Sequence, residues 1–158
     1  MHLDEIFQNL VELIKSAGIH LYFDGRLGNE TPLDGWYAPD PWKNALGPQI
    51  HILRNHAQKQ EDPTQELLTL AHEFGHHQSF LDHNRTSEYE ELVDKSAEWK
   101  YLKPEQKQII LNEEIRAWKY AKNTLQKLGF SDWEQFKKRK TDSLYRYQKL
   151  LNIRNKKV

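Results

Sequence analysis

The chain has 158 residues, with 23 basic and 23 acidic side chains, eight histidines, one methionine and no cysteine. This length favours one domain with a single core, and the lack of cysteine excludes disulfides, thiol catalysis and cysteine-ligated metals. No stretch approaches the roughly 20 apolar residues that span a bilayer, and the amino terminus lacks a secretory pattern. The balanced charge argues against a general nucleic-acid binder. We therefore expect a cytoplasmic protein without a membrane or nucleic-acid partner.

The first 61 residues predict a helix followed by a small sheet. Apolar residues recur at helical spacing from the start of the chain, and Gly18 ends that pattern. Alternating apolar residues predict strands at 19–24 and 49–54. The segment between them is rich in glycine and proline and leaves room for a short strand at 36–38.

The rest of the chain predicts helices. Asp62, Ser87 and Ser131 each stand three residues before a Glu or Gln, the capping-box spacing that begins helices. Pro104 begins a further helix that Gly129 ends. Early strands and about four late helices predict an α+β fold with two to four strands. We expect a single domain, with the helix and sheet at 1–61, the central helices at 62–129 and a basic C-terminal helix or tail at 130–158.

The zero net charge hides an asymmetry. Residues 131–158 carry nine basic and three acidic side chains, a net charge of +6, so the residues before them carry −6. A block of this kind is most often a solvated helix face, and it is also able to dock on the acidic body or on an acidic partner.

One motif carries chemistry: His72-Glu73-Phe74-Gly75-His76 within the helix that begins after Asp62. Residues four apart share a helix face, so the imidazoles of His72 and His76 can bind one zinc ion. Glu73 then stands beside the metal, where it can take a proton from a zinc-bound water and pass it to a leaving amine. The alternative without a metal is a helix with two hydrogen-bonded histidines and a surface glutamate.

A catalytic zinc site needs a third protein ligand, and two kinds of candidate remain. Asp82 and its neighbour His83 lie shortly after the motif, at the spacing of the third ligand in metzincins. However, Ser79 stands where those enzymes have glycine, and the only methionine, Met1, cannot form their Met-turn. The other candidate is Glu114, which falls in the middle of the apolar stripe of the helix after Pro104. A buried carboxylate needs a partner, and a zinc ion would be one.

The simpler alternatives are that Glu114 lies at the wet edge of that stripe, or that it pairs with Arg116 or Lys119. Glu113 lies about 100° away, on the flank of the stripe.

The motif and the segment Glu114-Ile115-Arg116-Ala117-Trp118-Lys119-Tyr120-Ala121 resemble the gluzincin metallopeptidases, and among them the small ImmA/IrrE-type and minigluzincin proteins. The resemblance covers roughly residues 3–129 and leaves out the basic tail. It implies that His72, His76 and Glu114 bind one zinc ion and that Glu73 is the general base and acid. It also implies that an edge strand, expected here at 49–54, pairs with an extended peptide substrate.

One position departs from the family pattern. Trp118 stands where relatives carry the Asp or Asn that orients a zinc-ligand histidine. Four residues could replace it: His51, His77, Asp82 and Glu113.

Gluzincins often add a residue that stabilises the oxyanion, and five candidates remain open: Tyr37, His51, Tyr101, Arg116 and Tyr120. The helical spacing of the remaining aromatic set favours core positions over a pocket: Trp99, Trp118, Trp133, Phe136 and Tyr147.

The leading hypothesis is a zinc endopeptidase that acts on a peptide or protein substrate. One alternative is a non-catalytic zinc module that binds a protein partner, against which an intact Glu73 argues because a structural zinc site needs no general base. Another is a latent enzyme whose C-terminal helix covers the cleft. The substrate, the cleavage specificity and the oligomeric state are not determined by the sequence.

Overall fold

The computed structural model describes residues 2–25, 34–40, 46–54 and 62–153. An N-terminal helix is followed by three strands and then by helices only, which confirms the α+β prediction. The elements in chain order are α1 Leu3–Ser16, β1 His20–Gly25, β2 Gly35–Ala38, β3 Gln49–Arg54, α2 Pro63–Leu81, α3 Ser87–Val93, a 3₁₀ helix Ser96–Tyr101, α4 Pro104–Lys127 and α5 Trp133–Leu150.

The sheet has the strand order β1-β3-β2. β3 pairs in parallel with β1, where His20 faces Gln49, and antiparallel with β2, where Ala38 faces Gln49. The prediction of an edge strand at 49–54 is therefore wrong, because β3 is the central strand and β2 is an edge. Ile50 and Ile52 alternate and are fully buried. That alternation identifies a strand and its buried face, but it carries no information about which strands flank it.

Helix α2 runs through the centre of the molecule. It is buried continuously from Leu67 to His77, on all faces, and it packs against α4, α1, α5 and the sheet. A helix that is buried all round needs polar partners for every polar side chain it carries. At its start the Asp62 side chain accepts a hydrogen bond from the Thr64 N–H, as predicted, whereas the Gln65 side chain bonds to Gln135.

Two predicted helix starts are displaced by one residue. Thr86, not Ser87, caps α3 by accepting from the Tyr89 N–H, and Asp132, not Ser131, caps α5 by accepting from Gln135. In each case the predicted residue and its neighbour are both good N-cap residues. Which of the two caps the helix therefore depends on how that helix packs.

The C-terminal helix belongs to the main core. Phe136, Leu144 and Leu151 are buried in the same cluster as residues of α1, α2 and α4. The domain boundaries given above stay a prediction. Within the described ranges, no helix combines the length and apolarity needed to cross a membrane.

Candidate metal centre

Three buried side chains from two helices meet at one point. His72 and His76 come from α2 and Glu114 from α4, and one nitrogen or oxygen atom of each lies within 4.8 Å of the others. The Nε2 atom of His72 lies 2.9 Å from Oε2 of Glu114, and Nε2 of His76 lies 3.3 Å from Oε1. The side chains that the sequence singled out are therefore adjacent in space.

A glycine makes this meeting feasible. A Cβ atom placed on Gly75 would lie 2.1 Å from the carbonyl oxygen of Ala117, so α2 and α4 approach closely at this level. Gly75 precedes His76 directly, and Ala117 lies one turn after Glu114 on α4. The close approach thus brings the carboxylate to the two imidazoles.

Glu113 binds the far side of His76. Its Oε2 atom lies 2.5 Å from Nδ1 of His76, and its Oε1 atom accepts from Ser79 at 2.5 Å and from Arg116 at 3.2 Å. Glu113 is only 1% exposed, so the flank of the α4 stripe on which it lies is covered by α2. A carboxylate in this position fixes the ring and its tautomer, which is how metal-binding histidines are commonly held.

The other three residues considered for that role lie elsewhere. The Nδ1 atom of His77 lies 3.0 Å from the hydroxyl of Tyr37, and His51 stacks on Trp36 on the sheet. Asp82 is the C-cap of α2 and accepts a hydrogen bond from Tyr120.

His72 is held differently. The indole of Trp118 stacks on its ring, with centroids 4.4 Å apart and an interplanar angle of 22°. The Nδ1 atom of His72 lies 3.2 Å from Oε1 of Glu73. Trp118 is 1% exposed, and its Nε1 atom has no hydrogen-bond partner among the described residues. The residue that departs from the family pattern therefore fixes the ring by stacking rather than by accepting a hydrogen bond.

The charges of the cluster balance one another. Burial acts to lower the pKa of His76, but Glu114 and Glu113 outweigh it and raise that pKa to about 10. Burial likewise opposes ionisation of Glu114, yet His76 and His72 hold its pKa well below the usual range. The pKa of His72 is raised by Glu114 and Glu73 against the effect of burial. Without a metal, these shifts favour the charged forms of the two imidazoles and of the Glu114 carboxylate.

The donor set suits zinc. Two imidazoles and one carboxylate, from residues four apart and from a second helix, are the ligands of one class of catalytic zinc site. A metal would replace the imidazole protons, whose positive charge neutralises the carboxylates in its absence. Asp82 and His83 have no part in this group: Asp82 ends the helix beside Tyr120, and His83 is exposed just beyond it.

Two residues of the cluster, His76 and Glu114, border a cleft. A cavity of about 440 Å³ is lined by Glu73, His76 and Glu114 and, on its other walls, mainly by apolar and aromatic side chains. β2 contributes Gly35, Trp36 and Tyr37, and the end of α5 contributes Tyr147 and Leu150. Helix α3 and the 3₁₀ helix contribute Tyr89, Val93 and Trp99.

Tyr147 is a site residue that the sequence did not identify. It was expected in the core, but it is only partly buried and lines the cleft. Burial, together with the negative charge of Glu114, raises its pKa well above 10, so its hydroxyl stays protonated. Trp99 also lines the cleft, with its indole N–H donating to the Leu92 carbonyl at 2.7 Å. Helical spacing predicted the apolar stripe of α5 correctly but does not separate a core position from a cleft wall.

Of the five oxyanion candidates, Tyr37 alone lines this cavity. Arg116 is bound to Glu113, Tyr120 to Asp82, and Tyr101 is 77% exposed. The structure thus brings together His72, Glu73, His76 and Glu114, places Glu113 from among the four orienting candidates against His76, and adds Tyr147.

Comparisons with models of known protein families, with curated proteins and with solved structures found no match to this chain.

Proposed function

We propose that this protein is a zinc-dependent endopeptidase. The observation that supports it is the buried group of His72, His76 and Glu114, two of which line a cleft together with Glu73. A structural zinc site would be closed by four protein ligands. Here two of the three candidate ligands, His76 and Glu114, border a cavity of about 440 Å³.

Zinc bound there would supply a Lewis acid that acidifies water and polarises a substrate carbonyl. Glu73 follows His72 directly on α2 and lines the cleft, so its carboxylate can accept a proton from water and deliver it to the leaving nitrogen. Tyr147, whose hydroxyl is protonated and lines the same cavity, can donate a hydrogen bond to the oxygen of the scissile carbonyl.

The substrate would bind as an added strand. Gly35, Trp36 and Tyr37 of the edge strand β2 line the cleft. An edge strand offers unpaired N–H and C=O groups to an extended peptide, so β2 takes the role expected of 49–54. The aromatic walls favour a bulky apolar side chain of the peptide next to the scissile bond.

A latent zinc module is the second candidate, because Tyr147 and Leu150 of α5 form one wall of the cleft. In that case a partner would have to move α5 before a peptide could reach Glu73. The two candidates differ in one measurable property, the activity of the isolated zinc-loaded protein. A cytoplasmic location and a peptide or protein partner stay predictions.

The test compares the wild-type protein with Glu73→Gln and with Glu91→Gln, an exposed glutamate of α3. Each is loaded with zinc, and cleavage of an unfolded casein is followed by mass spectrometry. We expect about one zinc per chain in all three proteins, cleavage by the wild type and Glu91→Gln, and a loss of about 10²- to 10⁴-fold in Glu73→Gln. Zinc well below one per chain, or an unchanged rate in Glu73→Gln, would exclude the endopeptidase. Stoichiometric zinc without cleavage by any of the three would favour the latent module.

A further inference from the structure

The cleft has a second arm, which is basic. Beyond Glu73, a cavity of about 400 Å³ opens between α5 and the residue that precedes β2. Its lining includes three cations and two carboxylates among the described residues, together with two glutamines: Lys138, Arg139, Arg146, Asp34, Asp142, Gln65 and Gln135. The cations come from α5, which carries six basic and two acidic side chains.

Arg139 holds the framework of this arm. Its guanidinium donates to Asp34 at 2.5 Å, to Thr69 at 2.9 Å and to Gln65 at 3.2 Å. Thr69 and Gln65 belong to α2, and Asp34 directly precedes the edge strand β2. Arg139 thus joins three elements at one point, and it is largely buried, with its side chain 18% exposed.

Arg146 stands at the mouth of the arm. Its side chain is 47% exposed, and its Nη2 atom lies 3.7 Å from the same oxygen of Asp34 that Arg139 binds. One carboxylate therefore faces two guanidinium groups. Guanidinium groups are suited to planar, bidentate recognition of carboxylates, with five N–H donors each.

The basic arm lies next to the candidate metal centre. A small cavity of about 70 Å³ is lined by Asp34, Arg139 and Arg146 and also by His72 and Glu73. A peptide paired with β2 leaves that strand at Gly35, next to Asp34. Its next residues would therefore pass Arg146.

We propose that Arg146, supported by Arg139, binds a carboxylate group of the substrate, so that the protein selects peptides with an acidic group near the scissile bond. This inference rests on the endopeptidase function proposed above. The carboxylate has two sources, an Asp or Glu side chain within the peptide or the free C-terminus of a peptide cut near its end. Both would meet the same two guanidinium groups.

The test uses three mixtures of seven-residue peptides with random neutral residues. The first contains one Glu at any position, the second has Gln in its place, and both are acetylated and amidated. The third has Gln and a free C-terminal carboxylate. Binding to the zinc-loaded protein is measured from the NMR signals of the arginine Nε–H groups, and cleavage is measured by mass spectrometry. The variants are Arg146→Glu and, as a matched control, Lys149→Glu, an exposed residue of α5 that does not line the arm.

We expect at least one carboxylate mixture to bind about tenfold more tightly than the amidated Gln mixture and to shift the signals of Arg139 and Arg146. This preference disappears in Arg146→Glu and stays in Lys149→Glu. The mixture that shows it identifies the source of the carboxylate.

The outcomes separate the two proposals. Cleavage of all three mixtures at equal rates, with no shift at Arg146, would overturn the carboxylate arm and leave the endopeptidase intact. Carboxylate-dependent binding without cleavage of any mixture would support the arm and count against the endopeptidase. If neither binding nor cleavage is observed, both proposals are wrong.

Discussion

The Nδ1 atom of His76 lies 2.5 Å from the Oε2 atom of Glu113. An ionised carboxylate only accepts hydrogen bonds, so Nδ1 carries the proton, and in the neutral ring the lone pair lies on Nε2, the atom that faces Glu114. Two consecutive glutamates on α4 therefore contact opposite sides of one imidazole. Glu113 orients the ring, and Glu114 is placed to share a metal with it.

Replacing Glu113 with Gln should weaken zinc binding by about 10- to 100-fold, the usual effect of losing a group that orients a ligand. An amide can present either an N–H or an oxygen to Nδ1, so the tautomer is no longer fixed. Zinc affinity is measured by competition with a chelating dye. Glu105→Gln, an exposed residue in the first turn of the same helix, is the control and should match the wild type. Equal affinities in both variants would contradict this role for Glu113.

Glu114 and Asp82 can be compared directly as third ligands. Glu114→Ala should reduce zinc affinity by more than about 100-fold, since a ligand is lost rather than an orienting group. Asp82→Ala should leave the affinity within about twofold, because Asp82 contacts Tyr120 at the end of α2 and not the histidines. The same chelator competition distinguishes the two. A larger loss in Asp82→Ala would restore the metzincin-like alternative.

Zinc binding should release protons. In the metal-free protein the pKa of His76 is raised to about 10, so this ring is protonated at pH 7, and the pKa of His72 is raised as well. Zinc needs neutral imidazoles, so we expect at least about one proton to be released per zinc at pH 7, with an apparent affinity that increases with pH. Calorimetry in two buffers of different ionisation enthalpy measures this number. A value near zero would show that the rings are already neutral.

The same shifts set the pH dependence of the metal-free fold. A histidine whose pKa is higher in the folded state stabilises the protein fully below its unfolded pKa of about 6.5. For His76 that contribution is lost as the pH rises from about 6.5 through about 10. Urea unfolding of the zinc-free protein between pH 6 and 10 should therefore show decreasing stability, and Glu114→Ala should flatten that decrease.

Gly75→Ala should destabilise the protein by about 3 kcal/mol or more, since the added methyl group overlaps the carbonyl of Ala117 and forces α2 and α4 apart. Gly47→Ala is a contrasting control. Nothing lies within 4 Å of its Cβ position, and its φ of +85° should cost only about 1 to 2 kcal/mol. Urea denaturation measures both. A small effect at Gly75 would mean that the two helices can separate without loss.

Removal of residues 130–158 should abolish cooperative folding. Phe136, Leu144 and Leu151 are each 5% exposed or less, and each buried side chain of this size contributes about 1.5 to 3 kcal/mol. The sum is comparable with the whole stability of a small domain. Thermal unfolding followed by circular dichroism tests this. A folded truncated protein would show that α5 is an added element, as the limits of the family resemblance suggest.

The aromatic residues of α5 illustrate where sequence reasoning stops. Helical spacing placed Phe136 and Tyr147 on one stripe, and both do face the body of the protein. Phe136 lies in the core, whereas Tyr147 lines the cleft. The two positions differ only in what lies opposite them, and that depends on α2 and β2, which are distant in the sequence.

The features that could be predicted from the sequence are local ones. Backbone geometry places residues four apart on one helix face, so the pairing of His72 with His76 followed from spacing alone, as did the helix that carries them and the apolar surroundings of Glu114. Three features could not be predicted in this way: the order of the strands, the burial of Glu113 and the contact of Arg139 with Asp34. Each of these features depends on which elements pack together. The burial of Glu113 follows from the close approach of α2 and α4 at Gly75. A sequence pattern gives the face that a residue occupies, but the partner on that face comes from a different part of the chain.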